Sequence, residues 1–250
     1  MKAFSWKKRV GLVAAVHAFA WVFCGILCAS SEGPGMTPDA ALQKLMEGNK
    51  NYVADKLTNQ AQANVAARTA LAASQKPYAI ILTCSDSRVP PELIFNKGLG
   101  EIFVIRVAGN VPDPIVLGSI EYAAEHLGTP LVMILGHERC GAVTATVDTK
   151  DKSTGSPNID AIVAAIKPNV ALATQGCAIC KDDKNCLETN KKAFVECVID
   201  ANIKTVAETL VKDSAILKHL VEEKKLIIVG AKYDLDDGLV LGEGLVELLL

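Results

Sequence analysis

Two short aliphatic runs, each ending at side chains able to bind a metal, constrain this chain more than any other feature. Ile80-Ile81-Leu82 leads into Thr83-Cys84-Ser85-Asp86-Ser87-Arg88, and Leu131-Val132-Met133-Ile134-Leu135 leads into Gly136-His137-Glu138-Arg139-Cys140-Gly141. The runs are continuous rather than alternating and rich in β-branched residues, the pattern of strands buried on both faces of a parallel sheet. Ligands of such sheets collect at the carboxyl ends of the strands, so Cys84, His137 and Cys140 are expected to converge there. Two thiolates and an imidazole suit zinc, and three protein ligands leave the fourth tetrahedral position to water, as in catalytic zinc sites.

A competing reading is that a cysteine at a strand end is only a small hydrophobe, and one His-x-x-Cys pair is weak evidence by itself. The triplet Cys84, Asp86, Arg88 favours the metal. A carboxylate and a guanidinium two residues apart at a strand end form a hydrogen-bonded pair beside an ion, and a plain core cysteine has no use for one.

Four motifs in order then carry a resemblance: Cys84-Ser85-Asp86-Ser87-Arg88-Val89, Gly100-Glu101-Ile102-Phe103-Val104-Ile105-Arg106, Ile120-Glu121-Tyr122-Ala123, and Gly136-His137-Glu138-Arg139-Cys140-Gly141-Ala142-Val143. From about Asp39 to Glu243 the chain resembles the β-class carbonic anhydrases, in their plant-like branch. The resemblance implies an α/β fold with a mainly parallel central sheet between helices, amino-terminal helices extending across a dimer partner, and one zinc per subunit on Cys84, His137 and Cys140. It implies reversible hydration of carbon dioxide to bicarbonate and a proton by attack of zinc-bound hydroxide, with Asp86, held by Arg88, accepting a hydrogen bond from the zinc-bound water or hydroxide. It places Phe103, Ala108 and Tyr122 along an apolar mouth and gives Gln75 a hydrogen bond to substrate. His126 becomes a candidate proton shuttle, since an unperturbed imidazole titrates near neutrality; a surface helix histidine is the commoner case. A homodimer or higher even oligomer is expected, with its pockets at the subunit boundary.

Two departures from the family pattern stand out. Val107 follows the strand arginine, Arg106, where asparagine is usual. Ile81 stands three residues before the first zinc cysteine, where members that shut off at low pH carry tryptophan, so Asp86 is expected to stay off the metal.

The start of the chain reads as a leader. Lys2, Lys7, Lys8 and Arg9 precede an apolar stretch from Val10 to Ala29, then Ser30-Ser31-Glu32-Gly33-Pro34-Gly35. This is the layout of a signal peptide over residues 1–29, cleaved near Ala29 or Ser30, or of an uncleaved membrane anchor. Either places the remaining single domain, residues 30–250, outside the cytoplasm, in the periplasm or secreted. Removing the leader strips four cations and no carboxylate, taking the formal charge from −2 to −6, which gives no reason to expect nucleic acid. Membrane contact is expected only if the leader is retained.

Thr37-Pro38-Asp39 has the form of a helix start. Further helices are expected over Pro114 to Leu127, from Gly141, over Ile159 to Ala173 with a break at Pro168, and over Ala193 to His219. Later strands are expected at Leu226 to Gly230 and Leu239 to Leu241. Cys177, Cys180, Cys186 and Cys197 form an insertion foreign to the family pattern, four cysteines in about twenty residues. In an exported protein they most simply make two disulfides, of three possible connectivities, with a structural four-cysteine zinc site as the alternative. Two other function classes fit parts of this pattern: a non-catalytic zinc- or bicarbonate-binding relative, and a redox protein using Cys177-Ala178-Ile179-Cys180.

Overall fold

Four aliphatic segments form the centre of the molecule: β1 (Ala79–Thr83), β2 (Ile102–Arg106), β3 (Leu131–His137) and β4 (Ile227–Tyr233). All residues of β1 and β3 are buried, as the unbroken apolar runs require. The computed structural model describes residues 35–59, 63–150, 152–178 and 186–241. The leader, Cys180 and residues 242–250 therefore lie outside the described residues.

The sheet order is β2-β1-β3-β4-β5, the first four strands parallel and β5 (Val240–Leu241) antiparallel on β4. From β1 the chain moves outward to β2, then returns across β1 to lay down β3. The reversal puts a crevice between the carboxyl ends of β1 and β3, where open α/β sheets bind their ligands. β2 is the outer strand on its side, and Ile102–Ile105 are only half-buried while Arg106 is exposed.

The connecting helices begin where the sequence supplies caps. In α1 (Pro38–Val53) the Thr37 hydroxyl accepts from the Ala40 N–H, and Pro38 opens the first turn. Asn64 caps α2 (Val65–Leu71), and α3 is the short turn Pro91–Ile94. Asp113 caps α4 (Pro114–Glu121), which passes into one wide π-helical turn at Tyr122–His126. α5 (Gly141–Thr149), α6 (Pro157–Gly176), α7 (Cys186–Thr189), α8 (Lys191–Asp213) and α9 (Ala215–Glu222) complete the described helices. Ser214 ends α8 and caps α9 through its hydroxyl, dividing the single helical region expected there.

The expected break at Pro168 does not occur: α6 runs through it for 20 residues. An interior proline costs a helix about 3 kcal/mol through its lost N–H and ring clash. Burial of Val163, Ile166, Asn169 and Ala173 along α6 offsets that cost, because packing outweighs local propensity. Among the described residues no helix is long and apolar enough to cross a membrane.

Candidate active site

Cys84 follows β1, His137 ends β3, and Cys140 caps α5. In-register pairing of Thr83 with Leu135 sets Cys84 beside Gly136 and brings the three residues to one point. Their candidate ligand atoms all lie within 4.8 Å of one another, with exposures of 5%, 0% and 2% in sequence order. His137 Nδ1 is 2.8 Å from the Glu138 carbonyl oxygen. A carbonyl only accepts, so Nδ1 carries the hydrogen and Nε2 presents its lone pair. Nε2 is buried without a hydrogen-bond partner, and such an atom is costly unless something else occupies its lone pair. Two buried sulfurs and this orphaned nitrogen fit a soft-to-borderline cation such as zinc, whose imidazole ligands are normally oriented by just such a carbonyl.

The two thiols share their proton. The hydrogen bond with Cys140 holds Cys84 down at about 4, against desolvation, with smaller help from the N–H groups of Gly109 and Asp86. Its hydrogen bond to Cys84 and its burial push Cys140 up.

Asp86 sits at the rim. Arg88 grips its carboxylate with Nε to Oδ1 at 2.9 Å, Nη2 to Oδ2 at 2.7 Å and the backbone N–H to Oδ1 at 3.0 Å. Those bonds, Arg88's side chain first, hold Asp86 well below the usual carboxylate range. Asp86 Oδ2 lies 3.9 Å from His137 Nε2, so the carboxylate faces the ligand cluster while its other contacts tie it back to Arg88. Arg106, at the end of β2, donates Nε to the Cys84 carbonyl at 3.0 Å and Nη2 to the Asp86 carbonyl at 2.5 Å. Its structural task is to hold the backbone that carries Cys84 and Asp86.

Ala108 opens the 3-10 turn Ala108–Asn110, whose Gly109 N–H donates to Cys84 Sγ at 3.4 Å; the turn thus lies against the Cys84–His137–Cys140 cluster. The other expected substrate contacts lie elsewhere in the chain. Phe103 is in register with Ile80, four residues before Cys84, or about 13 Å along the strand at ordinary strand rise. Tyr122 is half-exposed, its ring 6.4 Å from Phe103 and 5.5 Å from His126. His126 is exposed and 3.8 Å from Glu125. Gln75 is exposed before the opposite end of β1 from Cys84.

Cys177 and Cys197 are disulfide-bonded to each other, and Cys186 is also in a disulfide. The Cys177–Cys197 bond removes both the Cys177–Cys180 redox pair and the four-thiolate zinc set. Glu138, Asp234 and Asp236 make a second cluster of possible ligand atoms, of which Glu138 and Asp236 are bridged by Arg139 at 3.3 and 3.0 Å.

The carbonic anhydrase family model matches residues 79–240. Carbonic anhydrase 2 of Mycobacterium tuberculosis is 39% identical over 206 residues, 82% of this chain and 92% of that one. A carbonic anhydrase of Mycolicibacterium smegmatis is 36% identical over 208 residues, 83% of this chain and 94% of its own. A structure titled for two tetrameric β-carbonic anhydrases of Sordaria macrospora superposes with a TM-score of 0.63 at 21% identity, covering 84% of this chain and 97% of that one. The matched segment spans the crevice, its cysteines and its histidine, and the chain belongs to the β-class carbonic anhydrases, enzymes that hydrate carbon dioxide.

Proposed function

We infer that Cys84, His137 and Cys140 hold one zinc ion per subunit and that Asp86, aimed by Arg88, orients the water that attacks carbon dioxide. The observation that carries this is the cluster of two buried sulfurs and the buried, unpartnered Nε2 within 4.8 Å. When bound, the ion supplies a Lewis acid that lowers the pKa of a coordinated water. Arg88 occupies Oδ1 of Asp86 twice and Oδ2 once, so one acceptor position on Oδ2 remains toward the cluster. A water there donates one hydrogen to Oδ2, and its lone pair is turned toward the substrate carbon. Held ionised by Arg88, Asp86 is a weak base. It fixes the water without keeping the proton, which passes to solvent or to an exposed imidazole such as His126, which packs by Tyr122 and so serves the pocket of a second copy.

Ala108 walls the pocket in its own chain, while Phe103, Tyr122 and Gln75 serve the pocket of a second copy. The support is geometric: these three lie at the wrong end of the strands for their own Cys84, and β2 offers an apolar, half-buried edge with unpaired backbone groups. Natural proteins normally cover such edges, and a tetrameric arrangement is stated for the Sordaria macrospora relatives. A homodimer or a higher even oligomer follows, with the amino-terminal helices reaching across it.

The enzyme acts outside the cytoplasm. Supporting this are the leader-like residues 1–29 and the Cys177–Cys197 disulfide, since disulfides persist in oxidising compartments.

Metal analysis together with stopped-flow carbon dioxide hydration on the mature protein tests the assignment. One zinc per chain with rapid hydration is expected, and Cys84→Ser loses both. Zinc uptake without hydration would instead select a non-catalytic relative.

A further inference from the structure

Strand pairing sets Cys84 beside Gly136, but Arg139 and Cys140 lie beyond the end of β3 and Gly109 lies in the turn against Cys84, so pairing alone does not fix the path of either. α8 makes a hydrogen bond to each of these two segments. Near its start Glu196 Oε1 accepts the N–H of Arg139 at 2.9 Å. Arg139 stands between His137 and Cys140 in the left-handed region, with φ at 52°, a conformation that needs external support in a residue other than glycine. Further along α8, Asn202 donates Nδ2 to the Gly109 carbonyl at 3.0 Å. Gly109, with φ at 71°, has no room for a Cβ, which would stand 2.7 Å from Ile166 Cδ1. Its N–H is the donor to Cys84 Sγ at 3.4 Å.

The Asn202 amide is itself oriented. Asn169 of α6 donates Nδ2 to Asn202 Oδ1 at 2.9 Å, which turns the Asn202 amide group toward Gly109. Both asparagines are buried, at 1% and 2% exposure, and Asn169 Oδ1 has no partner. Two apolar residues would pack α6 on α8 without that penalty. The amide chain instead ends on the residue that hydrogen-bonds a metal-ligand sulfur.

We propose that α8 is the positioning element of the metal site, Glu196 setting the segment that bears His137 and Cys140, and Asn202, oriented by Asn169, setting the backbone donor to Cys84. The inference rests on the zinc assignment above. Neither side chain touches substrate; each acts through a backbone group, and its loss lets the ion leave faster without unfolding the chain.

The test uses the zinc-loaded full-length enzyme and its cobalt-substituted form. Zinc release to excess chelator and the thiolate-to-cobalt absorption band are the readouts. Glu196→Ala is expected to release zinc roughly tenfold faster or more, the usual effect of removing a group that supports a metal ligand. Glu196→Gln keeps the acceptor oxygen and is expected to restore release close to the wild-type rate. Asn202→Leu is expected to speed release and shift the cobalt band while the far-ultraviolet circular dichroism is unchanged. Asn169→Leu, which loses only the orientation of the amide, is expected to do so more weakly, and it carries the test if Asn202→Leu does not fold. Folded Glu196→Ala and asparagine variants with wild-type release and cobalt spectrum would overturn the proposal, as would Glu196→Gln being as damaging as Glu196→Ala. A wild-type enzyme that takes up no zinc, or a Cys84→Ser variant that holds it as firmly, would sink the zinc assignment instead.

Discussion

Gly136→Ala tests the contact between α8 and the strand that delivers His137. Gly136 is buried in β3, and a Cβ built there stands 2.5 Å from Ile203 Cδ1, 2.6 Å from Ile203 Cγ1 and 3.6 Å from Ile199 Cγ2. Carbons pack at about 3.5–4.0 Å, so Ile203 has to retreat by roughly 1 Å or more. Ile203 is itself buried among Ile199, Val206 and Ala207, and overpacking of this kind costs about 1–3 kcal/mol. Ile203→Ala alone leaves a hole and costs about 2–5 kcal/mol. In the double variant the new methyl occupies part of that hole, so the combined loss falls short of additivity by about 0.5–3 kcal/mol. The assay is guanidinium unfolding of all four proteins at one fixed protein and zinc concentration, because bound metal and assembly both shift apparent stability. Additive losses, or a Gly136→Ala protein as stable as wild type, would show that α8 does not press on β3 at this point.

Arg88→Leu removes two of the three bonds that aim Asp86 but no metal ligand. With Arg88 half-exposed, the pair is partly screened, and kcat/KM is expected to fall about fivefold to tenfold at full zinc occupancy. Because the folded pKa of Asp86 is depressed, the wild-type anion persists throughout the range above the ordinary carboxylate value of about 3.9 and is lost only well below it. In Arg88→Leu the carboxyl should protonate closer to that ordinary value, an upward move visible in the side-chain carbon resonance; an unmoved titration would contradict the pairing. Phe103→Glu sets a charge on the open β2 edge and is expected to yield zinc-loaded monomers of low activity, seen by sedimentation velocity, whereas an intact active oligomer would refute the edge-to-edge assembly. Cys177→Ser with Cys197→Ser opens a closure between residues 20 apart in sequence and should cost about 3 kcal/mol on chain entropy. Loss of the metal along with the disulfide would show the insertion to be more than a staple.

The central sheet was legible because burial on both faces leaves an unmistakable pattern: Ile80–Leu82 and Leu131–Leu135 have no polar residue to lose. Helix starts were legible at Thr37 because the cap and the proline are local chemistry. The continuity of α6 was not, since Pro168 argues locally for a break and only the packing of Ile166 and Asn169 inside the molecule overrules it. Asn202 left a trace that went unread. It falls on the stripe of Val195, Val198, Ile199, Ile203 and Val206 along α8, all buried, and a lone amide on such a stripe must find a partner.

The candidate ligand cluster was legible for a different reason: its residues stand at the ends of two aliphatic runs, and one chain suffices to bring them together. Phe103, Tyr122 and Gln75 have no such property. Spacing along the sequence cannot say which copy of the chain a residue serves, and only the register of β2 on β1, with Phe103 level with Ile80, separates them from the Cys84 of their own subunit. On the proposed assembly the two halves of the site have different requirements. Metal binding needs the fold of one chain, while the substrate wall needs two. Dilution below the dissociation constant of the dimer should therefore remove hydration activity while the zinc stays bound; activity that persists in the monomer would place the whole site, wall included, within a single subunit, and zinc lost together with activity would show that metal binding also needs the second copy.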